Sequence, residues 1–392
     1  GFMIRPHVNY FWNQVEGAGR VPHIERVTKI PATRKIYVKE DGSVRKPGEI
    51  LRNPDMAKTY RTIAKKGIDT FYKGEIAKVI AGDMENNGGL LSLEDLKNVE
   101  VTKTTPLISE YRDYKIATNR PPGGGIMIAE MLNILENFDL FSMGHNSVEY
   151  LTVLSEVMKV ATVDKDQFVG DPSFVDVPIE HLTSKAYAKM AAKKIKSGEK
   201  IHVPRVKVPE ESKNTTHLCV ADDEGNLVSM THSLGMPSGV VTDGLGFMYN
   251  GCMCVFDPRP NRTGSIQPGK SRFTAMCPTI IFKNDEPKLI IGAPGGTYIT
   301  MGVLQGILNV LDFGMDAQQA VSAPRICTTS DTIDITNRIP RYVEAGLVEK
   351  GYKVRRSAMS YFFAGVHAIS LDLNGNWVGG ADPGRDGMAM EV

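Results

Sequence analysis

The feature that most limits how this chain can fold is a change of pattern at Thr215. Before it, the charged, proline-containing stretch 196–214 has no apolar period, which predicts an exposed loop that ends at Asn214. After it, "THLCVA" and "LVSMTHSL" are strand-like runs joined by "DDEGN", a strong hairpin turn. The chain therefore begins its strand-rich part at a pair of threonines.

Upstream of the loop, the patterns are typical of helices. Asn53 and Pro54 form an N-cap and first-turn signal, and Gly67 a stop. The segment "IMIAEMLNILENF" has apolar residues at helical spacing and follows the turn "PPGGG". Downstream, "TAMCPTIIF" and "KLIIGAP" predict further strands before a long apolar helix. Helices and paired strands in this order predict a mixed α and β fold with a layered core.

Charge and composition exclude several classes of protein. The 46 basic residues nearly cancel the 45 acidic ones, which argues against a nucleic-acid or other polyanion partner. No apolar run approaches the roughly 20 residues of a membrane helix, so no membrane segment is expected. Five cysteines and a start without a signal-peptide pattern favour a cytoplasmic location. A periplasmic or secreted location stays open, because residue 1 is not a methionine.

The threonine pair has two interpretations. Threonine favours strands, so the pair can simply start one. Alternatively, Thr215 is a nucleophile: its hydroxyl attacks the Asn214 carbonyl, the acyl group shifts from nitrogen to oxygen, and water releases the ester. A threonine freed in this way carries its own base, because its α-amino group titrates near pH ~8. The sequence has neither a GxSxG motif nor a Ser-His-Asp signature to supply another nucleophile.

Segments along nearly the whole chain resemble, in order, those of the γ-glutamyltranspeptidase family: "FYKGEIAKVIAGDMENNGGLLSLEDL", "PLISEYRDYKIATNRPPGGG", "LNILENFDL", "VGDPSFVDVP", "NTTHLCVADDEGNLVSMTHSL", "MCPTIIF", "GAPGGTYI" and "GGADPGRDG". The resemblance implies a four-layer αββα sandwich of the N-terminal-nucleophile hydrolase type. It implies a large-subunit portion at 1–214, without the family's N-terminal region, and a small subunit at 215–392, intertwined in one domain. It also implies a heterodimer of cleaved fragments, alone or paired into a heterotetramer, and no cofactor.

The resemblance assigns the reaction to four residues. Thr215 is the nucleophile, and Ser233 falls where the family has a threonine whose hydroxyl bonds the nucleophile. Gly295 and Gly296 in "GAPGGT" match the two glycines whose N–H groups form the oxyanion hole, and glycine allows that close backbone approach. Two other interpretations of "GAPGGT" are a plain strand-to-helix turn and a phosphate cradle, although the Lys-Ser/Thr of a P-loop is missing.

The substrate-binding positions depart from the family. An Asn that holds the glutamyl amino group becomes Gly235, a Gln and an Asp become Cys252 and Val255, and a carboxylate-binding serine pair becomes Thr274 and Ala275. The family's carboxylate-clamping Arg belongs to a region upstream of residue 1. A desolvated ammonium without amide or carboxylate partners is costly.

The sequence therefore predicts an amidase or acyltransferase that cleaves a small-molecule amide whose acyl group is not a standard γ-glutamyl group. A true γ-glutamyl hydrolase or transferase acting on glutathione-like donors is the first alternative. An unprocessed, inactive homologue is the second.

Cysteine and histidine spacing gives the only hint of a metal. Cys252 and Cys254, with Cys277 and with His217 or His232, could supply ligands. The CxC spacing lacks a second matched pair, so we predict no metal site and interpret these cysteines as packed thiols of a strand. His217 is interpreted as a structural partner of the nucleophile rather than as its base.

Overall fold

The computed structural model describes residues 1–13, 22–204, 215–358, 363–372 and 374–392. Its helices are α1 (Pro6–Asn13), α2 (His23–Lys29), α3 (Pro31–Tyr37), α4 (Pro54–Lys66), α5 (Asp69–Tyr72), α6 (Glu75–Asn86), α7 (Leu93–Lys97), α8 (Gly125–Leu135), α9 (Leu140–Met143), α10 (Val148–Phe168), α11 (Ile179–Leu182), α12 (Lys185–Lys196), α13 (Ile299–Leu311), α14 (Ala317–Ser322) and α15 (Arg341–Glu349). Its strands are β1 (Phe2–Met3), β2 (Ile50–Leu51), β3 (Leu107–Tyr111), β4 (Tyr114–Thr118), β5 (Thr216–Ala221), β6 (Leu227–His232), β7 (Pro237–Val241), β8 (Met248–Asn250), β9 (Thr279–Lys283), β10 (Glu286–Gly292), β11 (Ile326–Cys327), β12 (Thr332–Ile335), β13 (Lys353–Arg356), β14 (His367–Leu371) and β15 (Trp377–Ala381).

The chain forms two compact units, one of Gly1–Thr104 with Met236–Gly251 and one of Thr105–Gly235 with Cys252–Val392. The first unit contains α1 to α7 and the two-stranded pairs β1–β2 and β7–β8. The helix signals predicted there are confirmed. The Asn53 side chain accepts a hydrogen bond from Met56 N at 3.0 Å at the start of α4, and Gly67 ends that helix with a φ of 81°.

The second unit is built on a six-stranded antiparallel sheet with the order β15-β14-β10-β9-β4-β3. Strands β3 and β4 precede residue 214, and the other four follow it. Strand β4 pairs with β9 along its length, from Tyr114 opposite Lys283 to Thr118 opposite Thr279. One sheet therefore draws strands from both sides of residue 214. The predicted cleavage of the chain into the fragments 1–214 and 215–392 stays a prediction.

Two layers cover this sheet. Helix α13 packs on β10 and α8 on β3 and β4, while the β5–β6 hairpin packs on β10 and β14. Ile291 of β10 points at Gly306 of α13, and the next residue, Gly292, lies against the ring of His217 in β5. Because successive strand residues face opposite sides, the helices and the hairpin cover opposite faces of the sheet. The described residues thus show helices, a sheet and a two-stranded layer.

The β5–β6 hairpin reverses the usual orientation of a half-buried strand pair. Polar side chains, His217 and Ser229 among them, face the large sheet. The outward face carries the large apolar side chains, which are 38–47% exposed: Leu218, Val220, Val228 and Met230. Among the described residues, no helix is long and apolar enough to cross a membrane.

Candidate active site

Thr215 and Ser233 lie side by side at the open end of the β5–β6 hairpin. The strand register places Thr216 opposite His232, which brings the residues just outside the hairpin together. The Oγ1 atom of Thr215 lies 2.8 Å from the Oγ atom of Ser233. Ser233 Oγ also accepts a hydrogen bond from Gly235 N at 2.9 Å, and either hydroxyl can be the donor in the bond between Ser233 and Thr215. The hydroxyl of Thr215 is therefore held in a defined position. Asn214 lies outside the described residues.

The glycine pair Gly295 and Gly296 forms a turn that only glycine fits at its first position. Gly295 has a φ of 147° and Gly296 a φ of 60°. A Cβ atom on Gly295 would lie 2.6 Å from the Cα atom of Ala364, so any side chain there would force the backbone apart. The turn runs directly into a 3-10 turn at Gly296–Tyr298 and then into α13. Backbone N–H groups at such a helix start are available to an anion.

His217 of β5 packs against β10, the strand before the glycine turn. It is buried, its Nδ1 lies 2.8 Å from Thr231 Oγ1, and a Cβ on Gly292 would meet its ring at 2.2 Å. Burial, assisted by the nearby His367, lowers the pKa of His217 to about 3. A histidine that stays neutral and is enclosed in this way packs and orients its neighbours, in agreement with the structural role favoured by the sequence.

The side chain of Cys252 packs directly against the backbone of Gly235. Cys252 begins a 3-10 turn, Cys252–Val255, and its thiol donates to Leu234 O at 3.4 Å. Gly235 has a φ of 66°, and a Cβ on it would lie 2.6 Å from Cys252 Sγ. The thiol thus fills the space that a side chain at position 235 would need. The prediction that Cys252 and Cys254 lie in a strand is wrong, because the strand ends at Asn250 and the chain then forms the 3-10 turn.

Thr274 lies in the segment before β9, and its backbone is bonded to the turn before α8. Its N–H donates to Pro122 O at 2.9 Å, and its Oγ1 accepts from Met276 N at 3.3 Å. A Cβ on Gly124 would lie 2.6 Å from Ala275 O, which explains a glycine in the "PPGGG" turn. Val255 is 36% exposed at the end of the 3-10 turn.

The sequence analysis did not single out Arg272, which the fold brings close to Gly235. One of its guanidinium nitrogens, Nη2, would lie 3.5 Å from a Cβ added to Gly235, and the other, Nη1, donates to Phe273 O at 2.9 Å. Within the described residues its guanidinium forms no ion pair with a carboxylate. It lies two residues before Thr274, one of the two positions that the resemblance aligns with a carboxylate-binding serine pair.

Asp171 holds the segment that carries Arg272. Its carboxylate accepts from Ser271 N at 2.7 Å and from Ser173 N at 3.0 Å. Burial works against the negative charge, but the hydrogen bonds from Ser271 and Ser173 outweigh it and keep the pKa of Asp171 below its usual value. A single ionised carboxylate therefore joins the 171–173 loop to residue 271.

Among the described residues, no group of three or more histidine, cysteine or acidic side chains could hold a metal ion. Cys277, one of the considered ligands, is buried, and burial raises the pKa of its thiol. Neutral buried thiols pack as small apolar groups.

The fold is similar to that of a known hydrolase. The crystal structure of cephalosporin acylase from Bacillus halodurans matches 99% of this chain and 71% of its own length, with a TM-score of 0.86 and 28% identity. The observed helices and sheets are consistent with the N-terminal-nucleophile hydrolase class, and the described residues do not establish the predicted fourth layer.

The sequence profile of the gamma-glutamyltranspeptidase family matches residues 1–392, and the chain belongs to this family. The glutathione hydrolase proenzyme of Bacillus subtilis is 34% identical over 378 residues, which cover 90% of this chain and 64% of the relative. The acylase ACY 1 proenzyme of Pseudomonas sp. strain V22 is 35% identical over 354 residues, covering 90% of this chain and 63% of the relative. The chain thus spans slightly less than two-thirds of the length of these relatives.

Proposed function

We propose that this chain belongs to a self-processing amidohydrolase or acyltransferase whose nucleophile is Thr215. The observation that carries the proposal is the 2.8 Å contact between Thr215 Oγ1 and Ser233 Oγ at the head of β5. A hydroxyl oriented in this way, on a residue whose own amine can act as base, needs no separate general base. The names of the relatives, which include proenzymes of a hydrolase and of an acylase, support the same class.

Processing comes first in this proposal. Thr215 Oγ1 bonds to the Asn214 carbonyl carbon, the carbon–nitrogen bond to Thr215 breaks, and the nitrogen takes the hydroxyl proton. Water then hydrolyses the ester, leaving a carboxylate on Asn214 and a free amino group on Thr215. The products are the fragments 1–214 and 215–392, which we expect to remain together as a heterodimer.

Turnover repeats the same attack on a substrate amide. The free amine of Thr215 takes the proton from Oγ1 and delivers it to the leaving amine as the carbon–nitrogen bond breaks. The N–H groups of Gly295 and Gly296 donate to the oxygen that becomes negative in the tetrahedral intermediate. Water, or an acceptor amine, then releases the acyl group from Thr215. No metal or organic cofactor takes part in these steps.

The acyl donor in this proposal is not a standard γ-glutamyl group. Gly235, Cys252 and Val255 stand at the positions that hold the glutamyl amino group in the family, and none of their side chains carries a carboxylate or amide. The packing of Cys252 against Gly235 supports the exchange of these residues as a set, because the family's Asn at position 235 would collide with the thiol.

The test is the intact mass and N-terminal sequence of the purified full-length protein, beside Thr215→Ala and Thr215→Ser. We expect the wild type to give a fragment that starts Thr-Thr-His, the alanine variant to stay whole, and the serine variant to be cut, because serine keeps the hydroxyl. A wild type that stays whole at near-neutral pH would contradict self-processing and favour the inactive homologue.

A second candidate function is a γ-glutamyl hydrolase or transferase, which the glutathione hydrolase relatives favour. It requires turnover of glutathione-like donors and acceleration by dipeptide acceptors. Release of p-nitroaniline from γ-glutamyl-p-nitroanilide, with and without glycylglycine, separates the two candidates.

A further inference from the structure

We propose that Tyr298 is a positioning residue, which fixes the glycine turn 295–296 through a hydrogen bond to Asp334 and thereby speeds the transfer of an acyl group to Thr215. This inference rests on the function proposed above, in which the N–H groups of that turn donate to the developing oxyanion. It adds a residue whose effect on the reaction is carried by the backbone of the turn.

The glycine turn needs support from outside itself. Gly295 and Gly296 have φ angles of 147° and 60°, and glycine loses more conformational freedom on folding than any other residue. Nothing in the covalent structure of two adjacent glycines keeps both N–H groups aimed at one point. An oxyanion donor acts through its fixed direction, because no reorganisation is then needed during the reaction. We therefore expect the side chains that hold this turn to affect the rate.

Tyr298 joins the turn to helix α13. Its N–H donates to Gly295 O at 3.2 Å, so its backbone is bonded directly to the first glycine. The 3-10 turn Gly296–Tyr298 ends at this residue, and α13 begins at the next one. Its phenol Oη donates to Asp334 Oδ2 at 2.6 Å. Burial raises the pKa of Tyr298 far above its ordinary value of 10, so the phenol keeps the proton that it donates.

The acceptor, Asp334, is held by its own strand and by the neighbouring one. It lies in β12, the middle strand of a three-stranded sheet with the order β11-β12-β13. The parallel register places Arg355 of β13 beside it, and this guanidinium donates to the carboxylate from Nε at 2.5 Å and from Nη2 at 2.9 Å. A paired contact of this kind fixes the orientation of the carboxylate. Through Asp334, Tyr298 is therefore tied to the strands of this sheet.

The turn is held on its other side as well. Pro294 O accepts from Gly365 N at 2.9 Å, and a Cβ on Gly295 would lie 2.6 Å from the Cα of Ala364. The backbone before the glycines is thus bonded to residue 365, and the backbone after them is held through Tyr298. Loss of the phenol bond would weaken the second attachment only. A small displacement of the donors lowers the rate of a reaction without preventing the fold.

The opposite end of α13 carries the same kind of contact and so provides a matched control. Asp312, the residue after this helix, accepts from Tyr111 Oη at 2.7 Å and from Arg112 Nε at 2.7 Å. The 13 residues of the helix, a length of about 20 Å, separate the two contacts. Tyr111→Phe therefore removes an equivalent tyrosine–aspartate bond at a distance from the candidate site.

The experiment measures acylation of the full-length protein by p-nitrophenyl acetate, whose acyl group is too small to depend on the residues that select the donor. Single-turnover release of p-nitrophenol gives the rate constant of acylation and the concentration of ester at half-saturation. Both are referred to the amount of cut chain that starts at Thr215, and Thr215→Ala supplies the rate that does not involve this residue.

We expect Tyr298→Phe to lower the rate constant by about tenfold with little change in half-saturation, which is a fraction of the loss that follows removal of a whole oxyanion donor. Phenylalanine keeps the ring, which lies 5.8 Å from that of Phe363, so packing is retained. Tyr111→Phe should leave both values unchanged. An unchanged rate constant in Tyr298→Phe, or an equal fall in both variants, overturns the inference.

Variants of the acceptor make the assignment specific. Asp334→Asn keeps an oxygen that can accept from Tyr298 and should cost less than Asp334→Ala. Because the two residues act as one unit in this inference, the double variant Tyr298→Phe/Asp334→Ala should be no slower than Asp334→Ala alone. Losses that multiply in the double variant would show two independent effects and contradict the assignment.

Failure of the proposed function has a different signature, namely a wild type that is acylated no faster than Thr215→Ala. Hydrogen exchange then decides the inference separately, because the amides of the turn can be followed in an uncut chain. In the Thr215→Ala chain, adding Tyr298→Phe should speed exchange in a peptide that spans 293–299 by about tenfold, the typical contribution of one hydrogen bond, whereas adding Tyr111→Phe should not. Equal exchange in the two double variants overturns the assignment.

Discussion

The end of the site that would make and break bonds and the end that would hold the acyl group are built in different ways. At the first, Gly295 and the hydroxyls of Thr215 and Ser233 depend on the path of the backbone and on a strand register. At the second, the thiol of Cys252 fills the space that a side chain at Gly235 would need, so the residue at one position depends on the side chain at the other. A reaction geometry set by the backbone is hard to alter, whereas a packed set of side chains can be exchanged together. The predictions below test this difference.

The strongest test concerns the end of the site that would make and break bonds, and it is the substitution Gly295→Ala. We expect turnover to fall by about 100- to 1,000-fold, the cost of losing the proposed oxyanion donor, because the new Cβ would lie 2.6 Å from the Cα of Ala364 and displace the turn. Donor hydrolysis measured beside circular dichroism separates this loss from unfolding. Gly314→Ala is the matched control, since Gly314 also has a positive φ of 66° and a Cβ there meets nothing within 4 Å. Equal losses in both variants would assign the effect to general backbone strain.

The next test removes the hydroxyl partner of Thr215, the proposed nucleophile. Ser233→Ala should lower kcat by about 10- to 100-fold, because a hydrogen bond to a developing charge is lost. Ser233→Thr keeps the hydroxyl and should retain most of the activity. Single-turnover release of p-nitroaniline measures the acylation step directly. An alanine variant with wild-type acylation would show that the 2.8 Å contact only holds the hairpin end together.

At the acyl-binding end, the test is whether Gly235 and Cys252 act as one unit. Gly235→Asn should cost about tenfold in kcat/KM because the new side chain meets the thiol of Cys252, although asparagine tolerates a φ of 66° better than most residues. Adding Cys252→Ala should recover most of the loss. A double-mutant cycle should give a coupling free energy of about 1 kcal/mol, and strict additivity would show that the two exchanges are independent.

The smallest effect concerns His217 of β5, whose ring packs against Gly292 of β10. Its folded-state pKa of about 3 lies below the ordinary value of 6.5, so the unfolded chain binds more protons between these values. Its contribution to the free energy of unfolding is therefore complete above pH 6.5 and declines as the pH falls toward 3. In urea unfolding of the uncut Thr215→Ala chain, His217→Gln should reduce the loss of stability between pH 7 and pH 5 by on the order of 1–2 kcal/mol. An identical acid dependence with glutamine would contradict this account.

Local signals in the sequence predicted much of the fold. Asn53 and Pro54 start α4, and the "DDEGN" turn closes the β5–β6 hairpin through the Asp222 side chain, which accepts from Asn226 N at 2.8 Å. These structures depend on residues a few positions apart, so propensity and capping are enough to predict them. The pairing of β4 with β9, by contrast, joins residues more than 160 positions apart, and only the family resemblance pointed to a shared sheet.

Some residues of the candidate site were predicted and others were not, because sequence motifs report local structure and not long-range contacts. The motifs named Thr215, Ser233 and the glycine pair, but the strand assignment of Cys252 missed the turn that brings its thiol to Gly235. Arg272 was not singled out, because the tertiary fold alone brings it near Gly235, 37 positions away. Composition and periodicity carry no signal for such an approach.

The bond between Asp171 and Ser271 has a consequence for the engineering of substrate range. This carboxylate belongs to a loop 101 positions before the arginine that it helps to place, and it contacts the backbone rather than any acyl group. Libraries that randomise only the residues around the acyl chain would leave this support unchanged. Variation at 171–173 would alter the backbone support of residue 271 without changing the side chains at 235 and 252, so a changed donor range is best sought by diversifying that loop together with those two positions.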